Sequence, residues 1–205
     1  MSSYLLVDPL GDYAGYQKEF LDRLGLQAVA LFSSPARLGG WQHKWRHRHG
    51  RFVVGEHLVD PGDLGGLAKT LRAEHPEGFF GIVPWDEMHT LLTARVSDAL
   101  ELEWNSARVM ERFRDKFVMK QWLRQVGSPR INRSRRVEGA EDALAFQRQV
   151  GSWPIVIKPS GGAGAMSVFF ATDDGELLAG CQRVLESGLG EVLLEEYIGG
   201  EEFAV

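Results

Sequence analysis

Short apolar runs alternate with helix-period segments through the first half of the chain, and this alternation restricts the fold more than any other feature. Tyr4 to Asp8 is an apolar run that breaks at Asp8-Pro9-Leu10-Gly11, and Tyr16 to Leu24 then sets Phe20, Leu21 and Leu24 at helical spacing before Gly25. Further strands are predicted at Gln27 to Phe32, Phe52 to Val54 and Gly78 to Pro84, with a helix over Asp60 to Glu74. Strand and helix in turn predict an open parallel sheet with helices on its faces. Ligands of such sheets collect beyond the carboxyl ends of the strands. The segments Asp8 to Asp12 and Pro84-Trp85-Asp86-Glu87 are therefore candidate substrate loops, with Glu87 a candidate for holding an amino group.

Helices are predicted over Glu87 to Leu100, Asn105 to Glu111 and Asp115 to Val126, the last closed by Gly127-Ser128-Pro129. After Pro129 the pattern restarts. A strand at Ile131 to Val137 leads to a helix at Ala140 to Val150 and an intensely apolar strand at Pro154 to Ile157. A glycine-rich loop, a strand at Met166 to Ala171, a helix from Asp173 to about Ser187 and a strand at Val192 to Tyr197 complete it. This second part reads as a small α+β unit, and the domain boundary is placed so that the units are 1–112 and 113–205.

With 44% apolar and 25% charged residues, the 205-residue chain has material for a true core. A formal net charge of -5 gives no global attraction to nucleic acid or an anionic membrane. The single cysteine, Cys181, cannot form an internal disulfide or a four-cysteine zinc site, and no run is long enough for a spanning helix. The N-terminal apolar run lacks the length and basic lead of a signal peptide, so a soluble, cytoplasmic protein is expected. Trp41 to Arg51 is the strongly basic, aromatic segment; its rings and cations suit stacking on a base or binding an acid, and His43 and His47 have metal-ligand spacing. The plainer reading is a solvated loop whose tryptophans pack on the sheet edge.

Four features of the second unit carry chemistry. Ile155-Val156-Ile157-Lys158-Pro159 ends a buried strand with an ammonium, which wants an anion nearby or else points to water. Ser160-Gly161-Gly162-Ala163-Gly164-Ala165 follows at once; small residues let successive backbone N–H groups turn toward one center, as around phosphate oxygens, although a hairpin turn would use the same residues. Neither a Rossmann fingerprint nor a P-loop is spelled, because a strand follows and no Gly-Lys-Ser/Thr closes the loop. The strand Leu193-Leu194-Glu195-Glu196-Tyr197-Ile198-Gly199-Gly200-Glu201-Glu202 turns acidic at its end, where carboxylates would accept from an amino group or hydroxyls, or be merely solvated. Asp115-Lys116 opens a helix with a credible N-cap, but a cation at the first turn is unfavorable by ~0.3–1 kcal/mol, so another group should want that charge.

Taken in order, Asp115-Lys116, Gly127-Ser128-Pro129, Trp153 to Pro159, the glycine loop and Glu195 to Glu202 resemble the ATP-grasp superfamily, and specifically its carboxylate-amine, amino-acid or peptide ligase branch. The resemblance covers about Asn105 to Val205, and the sheet before it is similar to the family's N-terminal pre-ATP-grasp domain. It implies an enzyme that uses ATP and magnesium to activate a carboxylate as an acyl phosphate for attack by an amine. Lys116 and Lys158 would contact the α- and β-phosphates, and Ser160, Gly161, Gly162 and Gly164 would close over them. Glu195 would receive the adenine amino group, Glu196, Tyr197 and Ile198 would give hinge backbone contacts, Glu202 would hold the ribose, and Val156 and Met166 would line the adenine pocket. Partners would be ATP and a small carboxylate or amino-acid substrate, with no nucleic acid or membrane, and a homodimer is an open assembly.

Members of the family hold magnesium with two acids and an asparagine in a further subdomain. The sequence stops at Phe203-Ala204-Val205, so it is expected to be the N-terminal part of a longer ligase or half of a site completed by another chain, without metal ligands or catalytic residues of its own. The alternatives are a non-catalytic nucleotide-binding or assembly module, and a biotin carboxylase-type enzyme.

Overall fold

A computed structural model describes residues 3–10, 14–49, 53–128, 130–162 and 164–201. Asp12, Arg51, Phe52, Pro129, Ala163 and Glu202 to Val205, which the sequence reading used, lie outside the described residues. The chain divides into two compact units, residues 1–110 and 111–205.

In the first unit, β1 (Ser3–Val7), β2 (Gln27–Phe32), β3 (Val53–Leu58) and β4 (Phe79–Pro84) form a sheet in the order β3-β2-β1-β4, every pair parallel. The helices are α1 (Ala14–Leu24), α2 (Pro35–Gly40), α3 (Arg46–His49), α4 (Leu64–Glu74) and α5 (Thr90–Leu100). Residues 5, 7, 29 and 31 pack on α4 and α5, and residues 6, 28, 30 and 32 pack on the other face against Leu21 and Trp41. Burial on both faces explains why these strands read as continuous apolar runs rather than alternating ones. The helix predicted from Asp60 begins at Leu64, because Asp63 caps it by accepting from Gly66 N–H at 2.9 Å.

The segment read as a solvated loop is helical. Ser34 caps α2 with Pro35 at its first position, and a π-helical turn, Trp41–Trp45, joins α2 to α3. Leu38, Trp41 and Trp45 form one apolar stripe; Trp41 is fully buried, 5.7 Å from the Phe32 ring, and its Nε1 donates to Glu56 at 2.9 Å. Among the described residues no group of three or more His, Cys, Asp or Glu is placed to hold a metal.

The second unit continues α6 (Ala107–Arg114) into α7 (Lys116–Gln125), β5 (Ser134–Val137), α8 (Ala140–Val150), β6 (Ile155–Pro159), β7 (Phe169–Ala171), α9 (Asp174–Ser187) and β8 (Val192–Glu196). Its sheet runs β5-β8-β6-β7, antiparallel throughout. Val137, Ile155, Ile157, Ala171, Val192 and Leu194 form one face, packed on Phe146 of α8 and Leu177 and Val184 of α9. The strand predicted from Met166 starts only at Phe169, because Ala165 and Ser167 take positive φ values (56° and 57°) that no strand admits. Among the described residues no helix is long and apolar enough to cross a membrane.

Candidate functional site

Strand alternation decides which side chains leave the core of the second unit. With Ile157 and Leu194 facing α8 and α9, the pleat turns Val156 and Lys158 of β6, Glu195 of β8, Arg136 of β5 and Phe170 of β7 to the opposite face. Val156 is paired with Glu195 on one side and Phe170 on the other, while Lys158 is paired with Leu193, so Lys158 and Glu195 are diagonal neighbors. Helix α7 meets this face. Asp115 caps it through Phe117 N–H and Val118 N–H, at 2.8 and 2.9 Å, and its other oxygen takes Arg136 at 2.9 Å. The Arg136 guanidinium also lies 4.7 Å over the Phe117 ring.

Glu195 is the center of the cluster and is only 5% exposed. Lys158 Nζ stands 2.8 Å and Lys120 Nζ 3.4 Å from its Oε1; these are ion-pair contacts whose angles fall outside those of a directed hydrogen bond. Asn132 Nδ2 divides its donors between Glu195 Oε2 at 3.2 Å and the Glu196 carbonyl at 3.0 Å, while its Oδ1 accepts from Lys120 Nζ. Burial alone would push the Glu195 carboxyl up, but Lys158, then Lys120 and Asn132, outweigh it and hold the group below the usual carboxylate range. Burial pulls the Lys120 ammonium down, Glu195 opposes that and Lys158 reinforces it. Within the Glu195 cluster two ammoniums stand against one carboxylate, an excess positive charge that an anionic ligand would neutralize.

Lys116 serves a different contact from Lys158. Its backbone N–H donates to the Ser160 carbonyl at 2.9 Å, and its Nζ donates to the carbonyls of Gly161 and Gly162 at 2.8 and 3.2 Å. The helix start and the glycine loop are thus joined. Gly161 is required by close approach, since a Cβ there would stand 2.8 Å from the Leu189 carbonyl oxygen. Gly162 and Gly164 take left-handed φ values of 81° and 63°. Lys116 and Lys158 both border Ser160, one bonded to it and one two residues before it, yet their ammoniums rest on different partners.

At the last residue of β8 the Glu196 carboxylate accepts the Arg133 N–H at 3.1 Å, and beyond the strand Tyr197 and Ile198 are exposed. Tyr197 meets Phe170 edge-on at 6.0 Å, with Met166 also exposed. Glu202 lies outside the described residues. The sequence reading missed Lys120, Asn132 and Phe170. Lys120 was legible as the residue one helical turn after Lys116, and Phe170 as the outward position of its strand; Asn132 carries no local signal.

In the first unit, β1 lies between β2 and β4, the place where the strand order reverses direction. There Asp8, fully buried with φ 48°, accepts from Ser33 N–H at 3.2 Å and Ser33 Oγ at 2.5 Å. His89 Nε2 is 2.9 Å from Asp8, and its Nδ1 is 2.6 Å from Asp86. Glu87 opens the 3₁₀ turn that carries His89, with Thr90 Oγ1 donating to its carbonyl at 2.8 Å. Asp8 and Asp86, one from each candidate loop, are therefore linked through His89.

Residues 115–202 match the family described as carbamoyl-phosphate synthase L chain, ATP binding domain. The second unit therefore matches an ATP-grasp nucleotide-binding domain. The chain is 31% identical over 157 residues to dapdiamide A synthase of Enterobacter agglomerans, an alignment covering 73% of this chain and 36% of that one. Its fold matches L-amino acid ligase from Bacillus licheniformis with a TM-score of 0.68 and 20% identity, over 98% of this chain and 45% of that one. It also matches the biotin carboxylase domain of Hydrogenobacter thermophilus 2-oxoglutarate carboxylase, solved with MgADP, ADP and bicarbonate, with a TM-score of 0.67 and 18% identity, over 95% of this chain and 44% of that one. The two structural likenesses bear on the fold. The chain spans less than half the length of each of these relatives. The family match covers the whole cluster around Glu195, and among the described residues no group of three or more His, Cys, Asp or Glu is placed to hold a metal ion.

Proposed function

We propose that this chain is the N-terminal portion of an ATP-dependent carboxylate-amine ligase acting on an amino acid or peptide, and that it supplies the nucleotide's base and phosphate contacts. The observation that carries the reading is the meeting of Lys158 and Glu195, on the sheet face opposite α8 and α9, with Lys120 of α7, beside a glycine loop tethered to Lys116. Glu195 accepts the adenine amino group, and the backbone of Glu196 to Ile198 pairs with the ring edge. Val156, Phe170 and Met166 give the base an apolar wall. Lys158, Lys116 and the N–H groups of Gly161, Gly162 and Gly164 receive the phosphate oxygens, with Glu202 on the ribose.

In the reaction so assigned, a substrate carboxylate oxygen attacks the terminal phosphorus, ADP departs, and an amine then displaces phosphate from the acyl phosphate. Positioning and charge neutralization are the protein's share of such a transfer. The names of dapdiamide A synthase and L-amino acid ligase support an amino-acid substrate over bicarbonate, and a single cysteine suits a cytoplasmic enzyme.

The test is amino acid-dependent ADP release by the full-length protein, with hydroxylamine trapping of the acyl phosphate as a hydroxamate. Lys158→Ala is expected to lower nucleotide affinity or turnover at least about tenfold, as loss of a phosphate clamp should. Unaltered binding and turnover in Lys158→Ala and Lys116→Ala would remove both assignments, and ADP release that requires bicarbonate instead would move the protein to the carboxylase branch.

A further inference from the structure

Resting on the nucleotide site proposed above, we infer that Lys120 and Asn132 form its base-selectivity element, keeping Glu195 a charged, oriented acceptor that takes a 6-amino purine and refuses a 6-oxo purine. An ionized carboxylate only accepts hydrogen bonds, whereas a protonated one also donates. The first suits an amino group at position six of a purine. The second would serve a carbonyl oxygen there, so the charge state of Glu195 decides which base is favored.

A carboxyl as enclosed as Glu195 would, without cations, take up a proton. In the free protein two ammoniums prevent that, but they are not equivalent. Lys158, at the end of β6 and beside the glycine loop, is the one that phosphates would draw on. Lys120 is anchored: its side chain is 12% exposed and its Nζ is bonded to Asn132 Oδ1, so it stays with the carboxylate when Lys158 turns to a ligand. Asn132 adds orientation. Its amide bonds Glu195 Oε2 and the Glu196 carbonyl together, aligning the two acceptors at the end of β8.

The full-length protein is tested by equilibrium binding of ATP, GTP and inosine triphosphate to wild type, Lys120→Met, Lys120→Arg and Asn132→Leu. Wild type should bind ATP at least about 100-fold more tightly than inosine triphosphate, the scale expected when a buried polar group faces a mismatched partner. Lys120→Met and Asn132→Leu should each reduce the ATP-to-GTP ratio about tenfold or more, while Lys120→Arg, which keeps the charge, retains it. A ratio unchanged in Lys120→Met and Asn132→Leu that still bind ATP overturns the inference and leaves the nucleotide site standing. Comparable binding of ATP and inosine triphosphate by wild type overturns it without any variant, which covers a failure of the substituted proteins to fold. Wild type that binds none of the three overturns the site itself.

Discussion

At the scale of single residues, Glu195 concentrates the energetics of the second unit. Its carboxyl titrates lower in the folded state than in the unfolded chain, so its contribution is present above the ordinary carboxylate value and is lost as pH falls through the depressed folded value. Thermal unfolding followed from neutral pH into the acid range should show this loss, and Glu195→Gln should flatten it. Glu195→Ala should destabilize by about 3–5 kcal/mol, because it strands two enclosed ammoniums without a counter-charge; chemical denaturation showing under 1 kcal/mol would contradict the described pairing. Cys181 is the opposite case. Burial pushes its thiol up to about 11, so iodoacetamide at mildly alkaline pH should label it slowly in the native protein and readily after denaturation.

At the scale of elements, the start of α7 and the glycine loop act as one piece. Asp115→Ala removes a cap and the Arg136 partner together and should cost about 0.5–2 kcal/mol, read by denaturant titration. Gly161→Ala must displace either the loop or Leu189, and nucleotide affinity should fall even though the fold persists. How legible such elements were depended on where their signals lie. Helix α8 was readable residue for residue, because apolar spacing and Gly151 sit in the sequence itself. The Trp41 region was read rightly for tryptophans that pack on the sheet but wrongly as a loop, because basic side chains dominate it, although Leu38, Trp41 and Trp45 already had the i, i+3, i+7 spacing of a helix. The strand after the glycine loop was overextended because apolar character at Met166 to Val168 says nothing of the left-handed backbone at Ser167. Lys158 and Glu195 could be singled out by type, but their meeting depends on the β6 and β8 register, which no local pattern encodes.

At the scale of the whole molecule, the two units have separate cores: one built around Leu5, Leu31 and Leu71, the other around Ile157, Leu177 and Leu194. Strand-helix alternation revealed the first as an open parallel sheet, but neither strand order followed from it, since neighbors in a sheet are chosen by long-range packing. Ile157→Ala should cost about 2–5 kcal/mol and weaken nucleotide binding. Leu5→Ala should cost a similar amount, read by denaturant titration. Strand β8 has a bonded neighbor on each side, whereas residues 161, 162 and 164–167 belong to no ladder once β6 has ended. Deuterium should therefore enter the amides of β8 late and those of the glycine loop early. The proposed nucleotide would lie between a strand paired on both sides and a loop outside any ladder, so that its arrival registers chiefly as a slowing of exchange in the loop.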